Sequence, residues 1–283
     1  ILRFPIWEPY QFFFRFNRLF GGGKKQAKPT ELITKKGGSL FHKLSIWIRG
    51  NFFIPDPRVF WVRPSVTFLK DFIRENKIKN IITTGPPHSM HLIGYKLKRS
   101  NPSLNWLADF RDPWSQWGLL DSLRAGSLAR MIHRRLEAKV LATADRIITI
   151  TPFYVKQFEK LSNRKVTLLT NGFDEDDFSN VIVSRPEKFV IRHVGIINEK
   201  CDPKPFMLAL RELLTDHPEV REDILLEFNG EVHPEFRNFV MKDNILAGLT
   251  KFTGNVPHSQ ILSMYGHTSL LLIILTGYKD AEG

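Results

Sequence analysis

Short β-branched runs separated by helix-length segments constrain this chain more than any other feature. Ile78–Gly85, IKNIITTG, is one such run and leaves into Gly-Pro-Pro. A helix is expected from about Ser89, carrying His91, Leu92, Tyr95 and Leu97. NWLADF reads as the next strand. Ser127 to Leu141 places apolar residues at helical spacing with Arg and Lys between them. ADRIITIT is a further strand, closed by Pro152 opening the helix PFYVKQFEKL, and RKVTLLT is a strand running into NGFDEDDF. Strands joined by helix-length crossovers pair in parallel. The pattern then restarts. KFVIRHVG is a strand ending at Gly195, and DPKPFMLALRELLTDHP is a helix with Asp202 as cap and proline in its first turn. DILLEFNG, LTKFTGNVP and SLLLIIL are strands, the last the longest apolar run and suited to burial. PEFRNFVMKDNI and PHSQILSMYGHT are the helices between them. The expected fold is α/β: two tandem Rossmann-like, doubly wound parallel-sheet domains, residues 1–172 and 173–283, with the seam in NGFDEDDFSNVIVSRPE.

Ligands of open parallel sheets bind beyond the carboxyl ends of the strands. In the first domain those ends carry Thr83, Thr84, Gly85, His88 and His91, then Asp109, Arg111 and Asp112, then Thr149 and Thr151, and last Asn171, Gly172 and Asp174. In the second they carry Gly195, Asn198, Glu199 and Lys200, then Asn229, Gly230 and Glu231, then Gly254, Asn255 and His258. Two such edges at a flexible seam are expected to hold a ligand between them. The stretch NWLADFRDPWSQW sets Asp109, Arg111 and Asp112 among Trp106, Trp114 and Trp117. Either these charges form a partly buried ion pair, or they face a substrate; an unpaired buried charge is too costly. His88 is a site residue or a helix cap, and Asp112 before Pro113 also suits a turn. His91, one turn after His88, is more simply a packing residue, and the spacing of the two fits helix geometry better than a metal pair.

The chain has 283 residues and a net charge of +12. Between Arg15 and Arg49 stand nine basic residues, Arg15, Arg18, Lys24, Lys25, Lys28, Lys35, Lys36, Lys43 and Arg49, against Glu31 alone, with phenylalanines beside them. A solvated basic face explains this, and so does docking on an anionic bilayer with aromatics at the headgroup level. The second is the expectation carried forward. No known nucleic-acid motif accompanies the charge, so nucleic acid is not an expected partner. No apolar run reaches the roughly 18 residues a membrane helix needs. One cysteine, Cys201, excludes an internal disulfide and points to a reducing, cytoplasmic setting, peripheral to the inner membrane at most. Ile1 opens the chain without methionine or signal-peptide pattern and Gly283 follows soon after a strand, so both ends read as cut.

TTGPPHSMHLIGYKLKR, NWLADFRDPW, KVLATADRIITIT and VTLLTNGFDEDDF together resemble bacterial GT-B glycosyltransferases of the large retaining family 4. HVGIINEK resembles that family's first glycine turn of the donor domain, and KFTGNVPHSQILSMYGHTSLLLIIL its G-x-V-P region. The resemblance runs from about Ile46 to the end. It implies retaining hexosyl-type transfer from a nucleotide-sugar to a glycan or lipid-linked acceptor in cell-envelope polysaccharide synthesis, without a bound metal or other cofactor. The first domain would take the acceptor and the second the donor. Carried over, His88, Asp109 and Arg111 would be catalytic. Thr84, Gly85, Asp112 and Thr151 would line the acceptor side, and Asn171 and Gly172 the interdomain crossing. Gly195, Asn198, Glu199 and Lys200 would meet the donor diphosphate, with Lys204 a weaker cation. The family's opening strand with its Gly-rich loop is missing; FGGGKK stands too late and without a β run before it. Its paired glutamates would fall just beyond Gly283. The chain thus reads as an incomplete GT-B enzyme, and whether it turns over by itself is left open. A nucleotide-sugar epimerase of the same architecture and a non-catalytic carbohydrate- or nucleotide-binding relative are the rival readings.

Overall fold

A computed structural model describes residues 40–274 apart from Trp117 and Lys200. The expected membrane-docking stretch before Leu40 lies outside the described residues, as does Lys200. The chain divides into two compact units between Asn171 and Gly172.

Among the described residues the first unit opens with α1 (Leu40–Phe52) and α2 (Val62–Glu75), joined through a 3₁₀ turn at Pro57–Trp61. There follow β1 (Asn80–Gly85), α3 (Ser89–Ser100), β2 (Asn105–Phe110), the short α4 (Leu119–Ser122), α5 (Ser127–Thr143), β3 (Arg146–Thr149), α6 (Pro152–Ser162) and β4 (Thr167–Leu168). All strands pair in parallel in the order β1-β2-β3-β4. Successive right-handed crossovers in one direction set α3, α5 and α6 on the same face, and α5 packs on both α3 and α6. On the covered face Trp106, Ala108 and Phe110 of β2 are buried. On the other face Ile82 is 69% exposed. Helix α3 lies close to β2 because Gly94 gives way: a Cβ there would stand 2.4 Å from the Trp106 indole. The amino-terminal edge is pinned by side chains on loose backbone groups. Asp145 accepts from the Trp106 N–H at 2.7 Å and pairs with Lys98 at 2.8 Å. The Arg164 guanidinium donates to the Leu141, Ala142 and Ala144 carbonyls at the end of α5.

The second unit comprises β5 (Phe189–Val194), α7 (Lys204–Asp216), β6 (Ile224–Asn229), α8 (Pro234–Met241), α9 (Asn244–Leu249), β7 (Thr250–Gly254), α10 (His258–Tyr265) and β8 (Leu270–Leu271). Its strands are parallel in the order β7-β6-β5-β8. The winding therefore reverses between β5 and β8, and such a switch point opens a crevice beyond the strand ends. Leu226 and Phe228 of β6 pack with Met207, Leu214, Phe236, Val240 and Leu246 from the helices. Beyond the strands, backbone bonds continue the pairing: Gly195 N–H donates to the Asn229 carbonyl, Ile197 N–H to that of Glu231, and His233 N–H to that of Ile197. Gly230, at φ +143°, is required there, since a Cβ would stand 2.0 Å from the Gly195 carbonyl oxygen.

The α/β fold with two tandem parallel sheets is as expected, and three local expectations are corrected. SLLLIIL pairs with β5 at Leu270–Leu271, which are 43% and 52% exposed rather than buried; among the described residues β8 is the last strand on that side of the sheet. Asp202 does not occupy the cap position of α7. Pro203 does, and Asp202 accepts from the Lys204 N–H beside it at 3.1 Å. PEFRNFVMKDNI is two helices, because Asp243 accepts from the Ile245 and Leu246 N–H groups and starts a new one. Among the described residues no helix is long and apolar enough to cross a membrane.

Across β5 and β6, Arg192 and Glu227 are register partners and form a buried ion pair at 2.7 Å, with side chains 6% and 12% exposed. Arg192 also donates to the Met264 carbonyl and, at 2.6 Å, to Thr268, tying the end of α10 to the sheet. Arg192→Ala strands a buried carboxylate and should cost about 3–5 kcal/mol in urea unfolding. A loss below about 1 kcal/mol would mean that solvent reaches Glu227.

Candidate functional site

The carboxyl edge of the first unit is built on a hydrogen-bonded relay. Trp106 Nε1–H donates to Thr83 Oγ1 at 2.9 Å, and Thr83 Oγ1 lies 2.9 Å from His91 Nδ1. The indole only donates, so Thr83 Oγ1 is its acceptor, and the direction of the Thr83–His91 bond follows the His91 tautomer. His91 Nε2 is buried with no hydrogen-bond partner among the described residues. It faces Gly85, where a Cβ would stand 2.5 Å from it. The His91 ring stacks on Phe110 at 4.2 Å. His91 is thus a packing residue as expected. Burial, helped by the neighbouring His88, holds its pKa well below 6.5.

His88 is 3% exposed and stacks on Trp114, with centroids 5.3 Å apart and planes 4° apart. It stands at the cap position of α3 without a side-chain cap bond. Burial and, secondarily, His133 lower its pKa to about 3, against the Pro113 carbonyl, which favours the proton. The His88 ring lies against the loop after β2, at Pro113 and Trp114. The amino terminus of α3 is filled by the chain's own carboxylate. Asp56 accepts from Ser89 N–H at 2.7 Å and Ser89 Oγ–H at 2.9 Å, and Trp61 Nε1–H donates to that same hydroxyl oxygen.

The tryptophan-rich loop owes its position to α5. Trp114 Nε1–H donates to His133 Nδ1 at 3.0 Å. Glu137 accepts from the Trp114 and Ser115 N–H groups at 3.2 Å each, and from the Ser115 hydroxyl. Burial raises the Glu137 pKa, and these bonds oppose it. Burial, then Arg130, lowers that of His133 to about 4. Neither residue stood among the sequence candidates. Their signal was the spacing Ala129, His133, Glu137, Val140 on one face of an amphipathic helix, which reads as core.

The remaining first-unit candidates divide by exposure. Thr84 and Asp109 are register neighbours on β1 and β2; Thr84 is exposed and Asp109 half-buried. Arg111 is exposed. Its N–H donates to the Gly85 carbonyl at 3.1 Å, and its guanidinium donates to the Asn171 side-chain carbonyl. The expected ion pair is therefore corrected: among the described residues no salt bridge joins Arg111 to Asp109 or Asp112, because the side chain leaves the strand end toward Asn171. Asp112 is half-buried, and burial raises its pKa while Arg111 pulls it down. Thr151 caps α6, accepting from Tyr154 N–H at 3.2 Å, and Thr149 donates to the Phe110 carbonyl at 2.8 Å.

In the second unit, the exposed Gly172 has open space around it. Gly195 spends its N–H on Asn229. Asn198 accepts from Cys201 N–H at 3.0 Å, and Glu199 lies 3.7 Å from His233. Lys204 is engaged by Asp202 at 3.7 Å and lies over the Phe239 ring. His193, absent from the candidates, is buried at the switch point. Its Nδ1 donates to the Leu272 carbonyl at 2.9 Å, and its Nε2, without a partner among the described residues, faces Gly195. No group of three or more His, Cys, Asp or Glu residues suited to a metal ion occurs among the described residues.

No family model and no curated protein matches this chain. Solved structures do. TarM is similar at a TM-score of 0.49 and 11% identity, over 73% of this chain and 38% of TarM. MnaA of S. aureus, solved with UDP, is similar at 0.41 and 13%, over 74% and 57%. The pneumococcal O-GlcNAc transferase GtfA, solved with UDP and GlcNAc, is similar at 0.46 and 11%, over 74% and 40%. This chain thus spans 38–57% of the length of these three structures. At such scores the likeness is loose, and no donor, acceptor or mechanism passes from them to this chain.

The buried histidines make the first unit acid-labile. Each is neutral when folded and titrates near 6.5 when unfolded, so its contribution is complete above pH 6.5 and is lost as pH falls toward about 4 for His133 and about 3 for His88. Glu137, shifted upward, takes up its proton more readily when folded and offsets part of this. Stability should fall by about 1.4 kcal/mol per pH unit for each histidine, and His133→Gln should remove one such share. Melting temperatures that stay level between pH 6.5 and 5 would refute the burial of these rings.

Proposed function

We propose that this chain belongs to a GT-B glycosyltransferase of the retaining family 4 type. It moves a hexosyl group from a nucleotide-sugar to a glycan or lipid-linked acceptor in cell-envelope polysaccharide synthesis, at the cytoplasmic side of the inner membrane. One observation supports this most: two tandem all-parallel α/β units collect their polar candidates at carboxyl edges, and the second sheet reverses direction beside Gly195. The motifs TTGPPHS, NWLADFRDPW and HVGIINEK fall at those edges.

In this reading residues 1–172 take the acceptor and residues 173–283 the donor. Asp109 and Arg111 reach the sugar and the acceptor hydroxyl, with Thr84, Gly85 and Asp112 around them. His88 acts through Trp114 as a positioning residue and Thr151 through the start of α6. Asn171 and Gly172 form the crossing. Around the donor, the Gly195 and Ile197 amides are already bonded, and α7 begins with Pro203 and Pro205 about it. The leaving diphosphate therefore depends on side chains, Lys200 first, with Asn198 and Glu199 beside it; electrostatic stabilisation of that charge is the main demand. No cofactor beyond the donor is needed.

The test is release of nucleoside diphosphate by the whole protein with a panel of nucleotide sugars. Turnover is expected with one of them. Arg111→Ala should lower it roughly tenfold or more. Because Arg111 is exposed, the same substitution should change stability by less than about 0.5 kcal/mol. Binding without transfer would leave a non-catalytic nucleotide-binding relative, and binding of no nucleotide sugar would refute the proposal.

A further inference from the structure

A cavity of about 600 Å³ lies at the amino-terminal edge of the first unit, at the opposite ends of the strands from the candidate site. Its lining includes four cations, Lys70, Arg74, Lys77 and Lys79, and no carboxylate. Arg74 is bound to Asp71 at 2.7 Å. The three lysines form no ion pair among the described residues. The half-buried Ile78 supplies an apolar wall, backed by Ile73, Leu97 and Leu104.

Two features separate this from an ordinary basic rim. Cations near a helix end usually answer the dipole, an effect confined to the last turn. Arg74 fits that description, whereas Lys77 and Lys79 lie past the end of α2. Lys77, moreover, has φ +52°. The Ile78 N–H donates to the Ile73 carbonyl and the Lys77 N–H to that of Arg74. This is the helix-ending motif whose left-handed position is ordinarily glycine. A lysine there gives up backbone comfort to place an ammonium at the cavity. The wall is aliphatic, so it offers no platform for stacking a nucleobase.

We propose that this cavity binds a phosphate-bearing amphiphile, with the phosphate among Lys70, Lys77 and Lys79 and the first alkyl carbons against Ile78. A phospholipid headgroup and a soluble phosphate ester share this chemistry. The inference is independent of the proposed transferase activity.

The experiment is titration calorimetry on the whole chain with dihexanoyl phosphatidic acid below its micellar concentration. Pyrophosphate and dihexanoyl phosphatidylcholine serve as comparisons. Saturable binding of the phosphatidic acid is expected, roughly tenfold weaker for pyrophosphate, which has no alkyl part, and absent for phosphatidylcholine. The pair Lys70→Gln and Lys79→Gln should weaken binding about tenfold, and Lys156→Gln with Lys160→Gln on α6 should not. Lys77→Gly gives the sharper readout: it relieves the left-handed residue, so the melting temperature should rise while affinity falls about threefold. Sedimentation with phosphatidylglycerol vesicles that is lost with the Lys70 and Lys79 substitutions identifies a bilayer as the source. Soluble binding without sedimentation identifies a free ester. Affinity unchanged in Lys77→Gly and in the Lys70 and Lys79 pair, or lost equally in the α6 control, overturns the proposal. So does equal binding of phosphatidylcholine.

Discussion

The contact from Trp106 through Thr83 to His91 holds the first unit together. It joins β2, β1 and α3 through three buried side chains. A buried indole N–H without an acceptor costs about 1–3 kcal/mol, so the threonine is as necessary as the ring. Gly94 lets the indole lie against α3, and Gly85 leaves room for the imidazole. On α5, His133 and Glu137 do the same for the loop after β2, receiving the Trp114 indole and two backbone N–H groups. The three charges set among tryptophans in NWLADFRDPWSQW are thus explained apart. The Trp106 and Trp114 indoles are satisfied from β1 and from α5, while Arg111 turns outward.

The strands were legible because β-branched runs ending in Gly or Pro carry their own boundaries. IKNIITTG, NWLADF and DILLEFNG became strands within a residue or two of their expected limits. SLLLIIL misled because apolarity alone does not say how deeply a strand is covered; among the described residues β8 pairs with β5 and with no other strand. Helices α1 and α2 were missed for another reason. In α1 aromatic and basic positions mix, whereas α2 carries Val62, Val66, Leu69 and Ile73 at helical spacing, a signal that was present in the sequence.

The site was legible as an edge and much less as a set of contacts. The rule that strand ends bear ligands places Thr84, Asp109 and Arg111 together, and the register of β1 and β2 agrees. It says nothing of which polar residues the fold consumes. Asp56 caps a helix that begins 33 positions later, at Ser89, and the capping of α3 by a remote carboxylate has no local signature. Thr151 was readable as a cap from the proline that follows it, and the structure uses it so. His193 resembled any residue within a strand until β8 supplied the Leu272 carbonyl.

Gly85 has a consequence for how such a chain would tolerate change over generations. The atom nearest its missing Cβ is a nitrogen of the protein itself, His91 Nε2, and not a ligand. Even alanine would push the imidazole off Thr83 and disturb a core several residues deep. Descendants that lost all binding activity would still be obliged to keep this glycine. Its persistence in a lineage would record the demands of folding, although its place at a strand end invites a tale of selection for substrate.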